Sequence, residues 1–421
     1  MRFSIVTFGC RVNQADSLEF EEALRARGGE PSPAEHADLV IVNTCSVTAT
    51  ADQGARQTIR RIGRENPNAR IVVTGCYATR EPEAVRALPL VSRIVLNPQK
   101  ASLVESVCDE FALTTAERFG DGDGGCGQTI APGMMGRTAY TLRVQTGCEE
   151  RCSYCIIPTT RGPSRSRSME EIVREARRIA SAGFKEIAIT GVHLGSYGRD
   201  LTPPISLVDL LQALASACDR VLFRISSLEP MDCTREIVEL VASSKRVAPH
   251  FHLPLQHASD DMLSAMRRPY TLAAYRSLVD GIRSRIPHAS IGSDVIVGFP
   301  GETAEHFEIN AAYLAASPLT HLHVFPYSDR PGTVASTLRS KVDGATVRAR
   351  TAEIRRVGAD LTERFRASQV GTVRPGLTIE DGSLVVTDNY LKVRVARQHE
   401  RNESVRVRIV EGGAEMAGEF V

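Results

Sequence analysis

The sequence predicts an α/β protein in three parts. An N-terminal parallel-sheet α/β domain is expected over 1–111, a partial (β/α)6 TIM-like barrel over 137–368, and a small C-terminal all-β barrel over 369–421. Three observations predict this. Short β-rich runs alternate with helix-period runs twice along the chain, which is the pattern of parallel sheets with helical crossovers. A Gly-rich stretch over 112–136, with little apolar period, separates the two series and reads as a linker. Residues 370–421 break instead into short strands separated by Gly turns.

In the first part FSIVTF, DLVIVNT, RIVVTG and SRIVL are the expected strands. SLEFEEALRARG, ATADQGARQTIRRIGREN, EPEAVRAL and ASLVESVCDEF are the expected helices between and after them. The linker holds a formal GxGxxG, Gly122 to Gly127, and a DGDGG run. With no strand before it and no helix after it, the first is not a dinucleotide loop, and the second lacks the rest of a calcium loop. In the barrel, TAYTLRVQT, EIAIT, VLFRIS, PHFHLPL, SIGSDVIVG and LHVFPY are strands. Helical runs start at Ser168, Ser206, Cys233, Ser259, Leu272 and Ala304. An Arg-rich helix is expected over 337–368, and then GLTIEDGSLVVTD, YLKVRVA, SVRVRIV and AGEFV form the last barrel.

Composition narrows the function. The chain has 421 residues, which suggests two to four domains, and 42% hydrophobic with 24% charged residues is a globular balance. A net charge of +1 excludes a strongly cationic, non-specific nucleic-acid binder but leaves room for a local RNA-binding face. Five lysines stand against 46 arginines. No run reaches the ~18–20 apolar residues of a membrane span, and no signal peptide is evident, so the expected location is the cytosol. Ten cysteines in such a chain point to metal, redox or core roles rather than disulfides.

Cysteine positions carry the chemistry. Cys148, Cys152 and Cys155 form CxxxCxxC directly after the strand YTLRVQT, at the carboxyl edge where β/α barrels hold their active sites. Three thiolates within eight residues wrap one soft metal centre. A structural zinc would want a fourth ligand nearby, and no Cys or His follows within 30 residues. Three ligands on a four-iron cluster leave one iron open for chemistry. A zinc knuckle with a distant ligand and free structural thiols are the alternatives. Cys10, Cys45 and Cys76 look scattered, yet each lies at or just past the end of an expected parallel strand. Such ends share one sheet edge, so these thiols can converge on a second cluster, with plain core cysteines as the alternative. Cys108, Cys126, Cys218 and Cys233 follow no pattern.

At this point the sequence resembles the methylthiotransferases of the radical S-adenosylmethionine superfamily. The resemblance covers nearly the whole chain. FGCRVNQADS, VNTCSVTATAD and TGCYA are similar to the family's N-terminal domain. GCEERCSYCIIPTTRGPSRSRS, HFHLPLQHASDDMLSAMRRPYT, DVIVGFPGET and FPYSDRPGT are similar to its radical core, and the last segment to the RNA-binding TRAM domain. GVHLGSYGRDL and the FGCRVNQ opening resemble the branch that modifies N6-threonylcarbamoyladenosine beside the tRNA anticodon. Thr146, Thr159 and the His257-Ala258 pair depart from the family pattern and touch no cluster ligand.

The resemblance implies two 4Fe-4S clusters, ligated by Cys148, Cys152 and Cys155 and by Cys10, Cys45 and Cys76. It implies S-adenosylmethionine chelated at the open iron and cleaved by an electron from a flavodoxin- or ferredoxin-like donor. A deoxyadenosyl radical would activate C2 of the modified adenine, the second cluster would hold the sulfur, itself supplied by a sulfur donor, and a second S-adenosylmethionine would methylate it. The product would be the 2-methylthio nucleoside in tRNA. Tyr154 is expected against the cofactor. Thr190, Gly191, Ser227, Glu229, Gln256 and Asp294, on later strand ends, are expected S-adenosylmethionine contacts. Arg161, Arg165 and Arg167, in one basic loop, and His193 are expected to meet the substrate, with His252 and His257 as further candidates. Lys392, Arg394 and Arg397 are expected to face RNA, on a segment with seven basic and eight acidic residues. Rival readings are methylthiolation of isopentenyladenosine or of a ribosomal-protein aspartate, a non-catalytic iron–sulfur carrier, and an RNA-binding protein with structural zinc.

Overall fold

The structure, a computed structural model, describes residues 1–110 and 130–421. The Gly122–Gly127 pattern, DGDGG, Cys126 and most of the expected linker lie outside the described residues. The chain forms two compact units. The first is Met1–Ile130 with Thr146–Glu150 and Cys155–Ser164, and the second is the remainder.

The first unit is built on strands β1 (Arg2–Thr7), β2 (Glu30–Pro31), β3 (Leu39–Thr44), β4 (Arg70–Gly75) and β5 (Val91–Val95). They form one parallel sheet in the order β2-β1-β3-β4-β5. Helices α1 (Arg11–Ala26), α2 (Ala49–Glu65), α3 (Cys76–Arg80), α4 (Pro82–Arg86) and α5 (Leu103–Glu110) connect and cover it. Alternate residues fill opposite faces. Val40, Val42, Ile71 and Val73 meet Ala55, Ile59 and Ile62 of α2. Phe3, Leu39, Ile41 and Val72 meet Phe20 and Leu24 of α1 and Leu103 and Val107 of α5. Both faces are buried, so β3 reads as a continuous apolar run rather than an alternating one. Thr48 caps α2 by accepting the N–H of Ala51.

Helix α1 starts at Arg11, six residues before the expected start at Ser17. Its first turns bury Asn13, Asp16 and Ser17, so the inward face there is polar and the apolar period that would reveal it is missing.

The second unit begins its barrel with β6 (Tyr140–Arg143), and β7 (Gln145–Thr146) ends on Thr146 of the first unit, where one strand over 138–146 was expected. The Val144 N–H leaves for the Thr190 carbonyl at 2.9 Å between them. Then follow α6 (Ile157–Arg161, in the first unit), β8 (Arg165–Ser166), α7 (Met169–Ser181), β9 (Glu186–Thr190), α8 (Leu207–Ala217), β10 (Leu222–Ile225) and α9 (Arg235–Ser243). After these come β11 (His250–His252), α10 (Asp260–Ala265), α11 (Leu272–Arg285), β12 (Ser290–Val297), α12 (Ala304–Ala316), β13 (His321–Pro326) and α13 (Gly344–Gln369). Two three-stranded parallel sheets, β10-β9-β6 and β11-β12-β13, are joined through the bridges Phe223↔Val247 and Ser227↔His252. The result is six parallel strands in chain order, an open barrel with no ladder from β13 back to β6 among the described residues.

Strand β11 is shorter than the expected PHFHLPL, because Pro254 cannot donate to a ladder and Gln256 turns the chain at φ +69°. Helix α13 begins at Gly344, not 337. Asp343 caps it by accepting the N–H groups of Ala345 and Thr346. Gly358 lets it pack closely on Leu322 of β13.

The same unit ends in a closed barrel of β14 (Val373–Ile379), β15 (Leu384–Thr387), β16 (Lys392–Arg394), β17 (Ser404–Glu411) and β18 (Met416–Phe420), in the order β14-β15-β16-β18-β17. Closure leaves it no free edge. Val385, Val393, Val407, Ile409 and Met416 fill it, with Phe365 of α13 against them.

Candidate active site

The first centre lies at the carboxyl edge of the first sheet. Cys10 follows β1, Cys45 follows β3 and Cys76 opens α3 after β4. These three strands are neighbours, so each thiol emerges beside the next. Gly9, at φ +86°, must be glycine, because a Cβ there would fall on the Cys45 side chain. Cys45 and Cys76 are buried and Cys10 is exposed, at the end of α1 where the helix dipole favours negative charge. Burial, then the neighbouring charges of Cys10 and Cys76, pushes the Cys45 thiol up to about 12, against the Val47 N–H and Arg161. Burial also acts to raise Cys76, but Arg161, Lys100 and hydrogen bonds from Arg161 and Asn97 outweigh it and hold that thiol below its ordinary range. Three thiols brought to one sheet edge, with Cys10 and Cys76 close enough to Cys45 to oppose its ionisation, fit a soft metal cluster, which takes them as thiolates.

Arg161 stands apart from its expected neighbours. It lies at the end of α6, buried in the first unit, where Nη2 meets Asn13 Oδ1 at 2.5 Å and Asp16 Oδ2 at 3.4 Å. Its partners are therefore the network around Cys76 and not a solvated basic loop. Lys100 Nζ completes that network, 2.6 Å from Asp16 Oδ2 and 3.0 Å from Asn43 Oδ1.

The second cysteine set sits in the loop between β7 and α6. Gly147, at φ +77°, starts it, and a Cβ there would strike the Pro163 carbonyl. The Cys148 N–H donates to the Gly162 carbonyl at 3.0 Å, and the Glu150 N–H donates to Cys148 Sγ at 3.4 Å. In the second unit the Ser153 N–H and Oγ donate to the Met266 and Ala265 carbonyls at 3.0 and 2.8 Å, pinning the loop to the end of α10. Arg268 Nη1 donates to Cys152 Sγ at 3.1 Å, and its Nη2 pairs with Glu229. Glu229 is nonetheless raised, because burial outweighs Arg268. Tyr154 packs on Met262, Met266, Ile296, Phe299 and Ala335. Three cysteines within eight residues have the spacing that suits a cluster with one open iron.

Inside the barrel, Leu322 faces Gly358 of α13, so the alternate residues His321 and His323 face inward. Asp294 is in register with His323, and its Oδ1 lies 3.2 Å from His323 Nδ1 and 2.9 Å from His252 Nε2. Burial opposes ionisation of Asp294, but the two imidazoles hold it well below the usual carboxylate range. His252, Asp294 and His323 have metal-ligand types, and as a carboxylate lining they equally suit hydroxyl or ammonium donors. Burial and the adjacent His252 and His323 lower His321 to about 3. Thr190 Oγ1 accepts from Ser226 Oγ at 3.2 Å, Gly191 lies against Gln145, and Ser227 is exposed at the strand end. Gln256 bridges β12, its N–H on the Asp294 carbonyl and its carbonyl on the Ile296 N–H, both at 2.8 Å.

His193 is buried, with Nε2 2.8 Å from Asp232 Oδ2 and its N–H on Gln145 Oε1 at 2.9 Å. Asp232 also pairs with Arg199 at 2.6 Å. His257 is buried 3.6 Å from Glu302, which Arg350 holds at 2.6 Å, a structural polar network. Arg165 is exposed, whereas Arg167 pairs with Glu175 at 2.7 Å. On the last barrel Lys392, Arg394 and Arg397 are exposed, together with Arg406 and Arg408 of β17, which the sequence reading did not single out although they alternate with buried Val407 and Ile409. That reading also missed Lys100, Asp16 and Arg268. The quoted motifs FGCRVNQADS and MRRPYT contain the last two.

Residues 2–97 match the Uncharacterized protein family UPF0004 and residues 142–314 the Radical SAM superfamily. The chain is 34% identical to the threonylcarbamoyladenosine tRNA methylthiotransferase MtaB of Aquifex aeolicus, over 97% of this chain and 100% of that one. It is 35% identical to a tRNA-2-methylthio-N(6)-dimethylallyladenosine synthase of Herpetosiphon aurantiacus, over 80% and 76%. It is 31% identical to the ribosomal protein uS12 methylthiotransferase RimO of Desulfotalea psychrophila, over 100% and 96%. Among solved structures, the radical S-adenosylmethionine methyltransferase TsrM of Kitasatospora setae superposes with a TM-score of 0.57 at 17% identity, over 80% of this chain and 76% of that one, a likeness of fold.

Proposed function

The chain belongs to the radical S-adenosylmethionine methylthiotransferases, and from that premise we propose that it methylthiolates C2 of N6-threonylcarbamoyladenosine beside the anticodon of tRNA. The observation that carries the reading is the pair of cysteine triplets, each at the carboxyl end of parallel strands, in a chain whose full length aligns with threonylcarbamoyladenosine enzymes. S-adenosylmethionine and two 4Fe-4S clusters are the cofactors. When bound, they supply the adenosyl radical, the sulfur and the methyl group.

The chain's own residues position these groups. Cys148, Cys152 and Cys155 hold the first cluster, and Arg268 donates to Cys152 while fixing Glu229 near it. Glu229, Thr190, Gly191, Ser227, Gln256 and Asp294 bind S-adenosylmethionine from the strand ends and interior, with Tyr154 closing the loop side. Asp294, held anionic by its imidazoles, accepts hydroxyl or ammonium hydrogens. Cys10, Cys45 and Cys76 hold the second cluster. Arg165, Arg167 and His193 meet the substrate, and the exposed arginines and lysine of the last barrel meet tRNA phosphates. A flavodoxin- or ferredoxin-like electron donor, a separate sulfur donor and a cytoplasmic setting complete the reading. Among the described residues no helix is long and apolar enough to cross a membrane. The organisation proposed is 1–111 for the auxiliary cluster, 112–136 as linker, 137–368 as radical core and 369–421 as TRAM domain.

Mass spectrometry of tRNA nucleosides from cells with and without the gene tests the substrate. Deletion is expected to remove the 2-methylthio threonylcarbamoyl nucleoside and accumulate its precursor. An unchanged profile would refute the tRNA reading and direct the search to ribosomal protein. Asp294→Asn is expected to raise the KM for S-adenosylmethionine about tenfold, the loss of one charge-assisted hydrogen bond. An unchanged KM in deoxyadenosine-release kinetics would remove Asp294 from the cofactor site.

A further inference from the structure

We propose that Arg161 and Lys100 raise the reduction potential of the centre held by Cys10, Cys45 and Cys76. The proposal rests on the reading that these cysteines hold a cluster. Two cations are buried here. The Arg161 side chain is 3% exposed and that of Lys100 is 11%. Burying a cation costs several kcal/mol unless a negative partner offsets it. Among the described residues, the hydrogen bonds and ion pairs around them bring one carboxylate, Asp16, which both cations share. Asn13 and Asn43 add only neutral oxygens. Among the described residues one positive charge is therefore left over, and the acidic side chain beside it is Cys76, whose thiolate form Arg161 and Lys100 both favour. Asn97 Nδ2 lies 3.6 Å from the same sulfur and 2.8 Å from the Thr160 carbonyl, so a second N–H aims at Cys76. That one charge is balanced when Cys76 is a thiolate.

Positive charge and N–H donors beside a ligand sulfur favour the more negative, reduced form of a cluster and so raise its potential. The source of Arg161 adds a consequence. Six residues before it stands Cys155, a ligand of the other cluster, so the chain segment that leaves one centre tunes the other.

The test is a potentiometric titration of the holoenzyme followed by electron paramagnetic resonance. The radical-generating cluster is recognised by its response to S-adenosylmethionine, and the other signal is the one measured. Arg161→Gln and Lys100→Gln are each expected to disfavour reduction at least tenfold, 59 mV for a one-electron couple. Arg161→Lys, which keeps the charge, is expected to restore more than half of the shift. Arg86→Gln, on exposed α4, is expected to titrate as wild type. Wild-type potentials in both Gln variants, with full iron content, would overturn the proposal. If Arg161→Gln loses its iron, the Lys100→Gln titration decides in either direction. A wild-type chain that loads a single cluster would instead refute the cluster reading on which the proposal rests.

Discussion

Alanine at any one of Cys10, Cys45 or Cys76 is expected to remove one of two iron–sulfur clusters and all methylthio transfer while leaving S-adenosylmethionine cleavage measurable. Alanine at Cys148, Cys152 or Cys155 is expected to abolish both activities. The asymmetry follows from what each triplet serves. The loop after β7 ends the strand that opens the radical barrel, and without its thiolates nothing delivers an electron to the sulfonium. The other triplet closes no part of that barrel. It grows from β1, β3 and β4 of a sheet whose core is complete on both faces without it. Cys45→Ala is the sharpest case. Its thiol is buried and pushed up to about 12, chiefly by burial, so without metal it is a small neutral group whose removal is expected to cost the fold little. Iron and sulfide content, deoxyadenosine release and nucleoside mass spectrometry separate the outcomes. A Cys45→Ala chain with undiminished iron and product would end the two-cluster reading.

Why the sequence discloses these cysteines but not their surroundings is a matter of period and partner. The strands before Cys10, Cys45 and Cys76 are apolar runs bounded by glycine or polar residues, and parallel sheets put all their carboxyl ends on one edge. Convergence therefore follows from topology alone. The cations beside them do not. Lys100 follows β5 by five residues and Arg161 comes from a segment 61 residues further on, and neither periodicity nor spacing links them to Asp16. The same gap explains α1. Its first turns are helical because Asn13, Asp16 and Ser17 have buried partners, Arg161 and Lys100 among them, and those partners are remote in sequence. Arg161 thus read as one more arginine in a basic loop. Inside the barrel, the strand runs PHFHLPL and LHVFPY announced themselves, but that His252 and His323 share Asp294 needed the register Asp294↔His323.

Arg224→Met is expected to lower unfolding stability by about 3–5 kcal/mol, because it strands a buried carboxylate. Arg224 lies on β10, 1% exposed, and its Nε and Nη2 meet Glu186 Oε1 and Oε2 of β9 at 2.8 and 2.9 Å. Its remaining nitrogen reaches out of the radical barrel to the Asp388 carbonyl at 2.8 Å, and its guanidinium stacks 4.8 Å over the Tyr390 ring. Asp388 in turn accepts Arg374 in a two-pronged pair at 2.9 and 2.7 Å, within the small barrel. One side chain thus ties the inner wall of the radical barrel to the turn after β15. Met fills a similar volume, so packing is nearly conserved and the loss isolates the charge. Glu186→Leu in the same chain removes the orphaned carboxylate, and the double variant is expected to regain most of the stability, a coupling that distant sites would not show. Urea unfolding measured for the wild type, both single variants and the double variant gives the cycle. A loss below about 1 kcal/mol in Arg224→Met, or a double variant as weak as that single one, would mean the pair contributes shape rather than charge. Recovery of stability in the double variant with weaker binding to tRNA would further assign Arg224 the placement of the small barrel, since the contacts to Asp388 and Tyr390 stay broken when the carboxylate is gone.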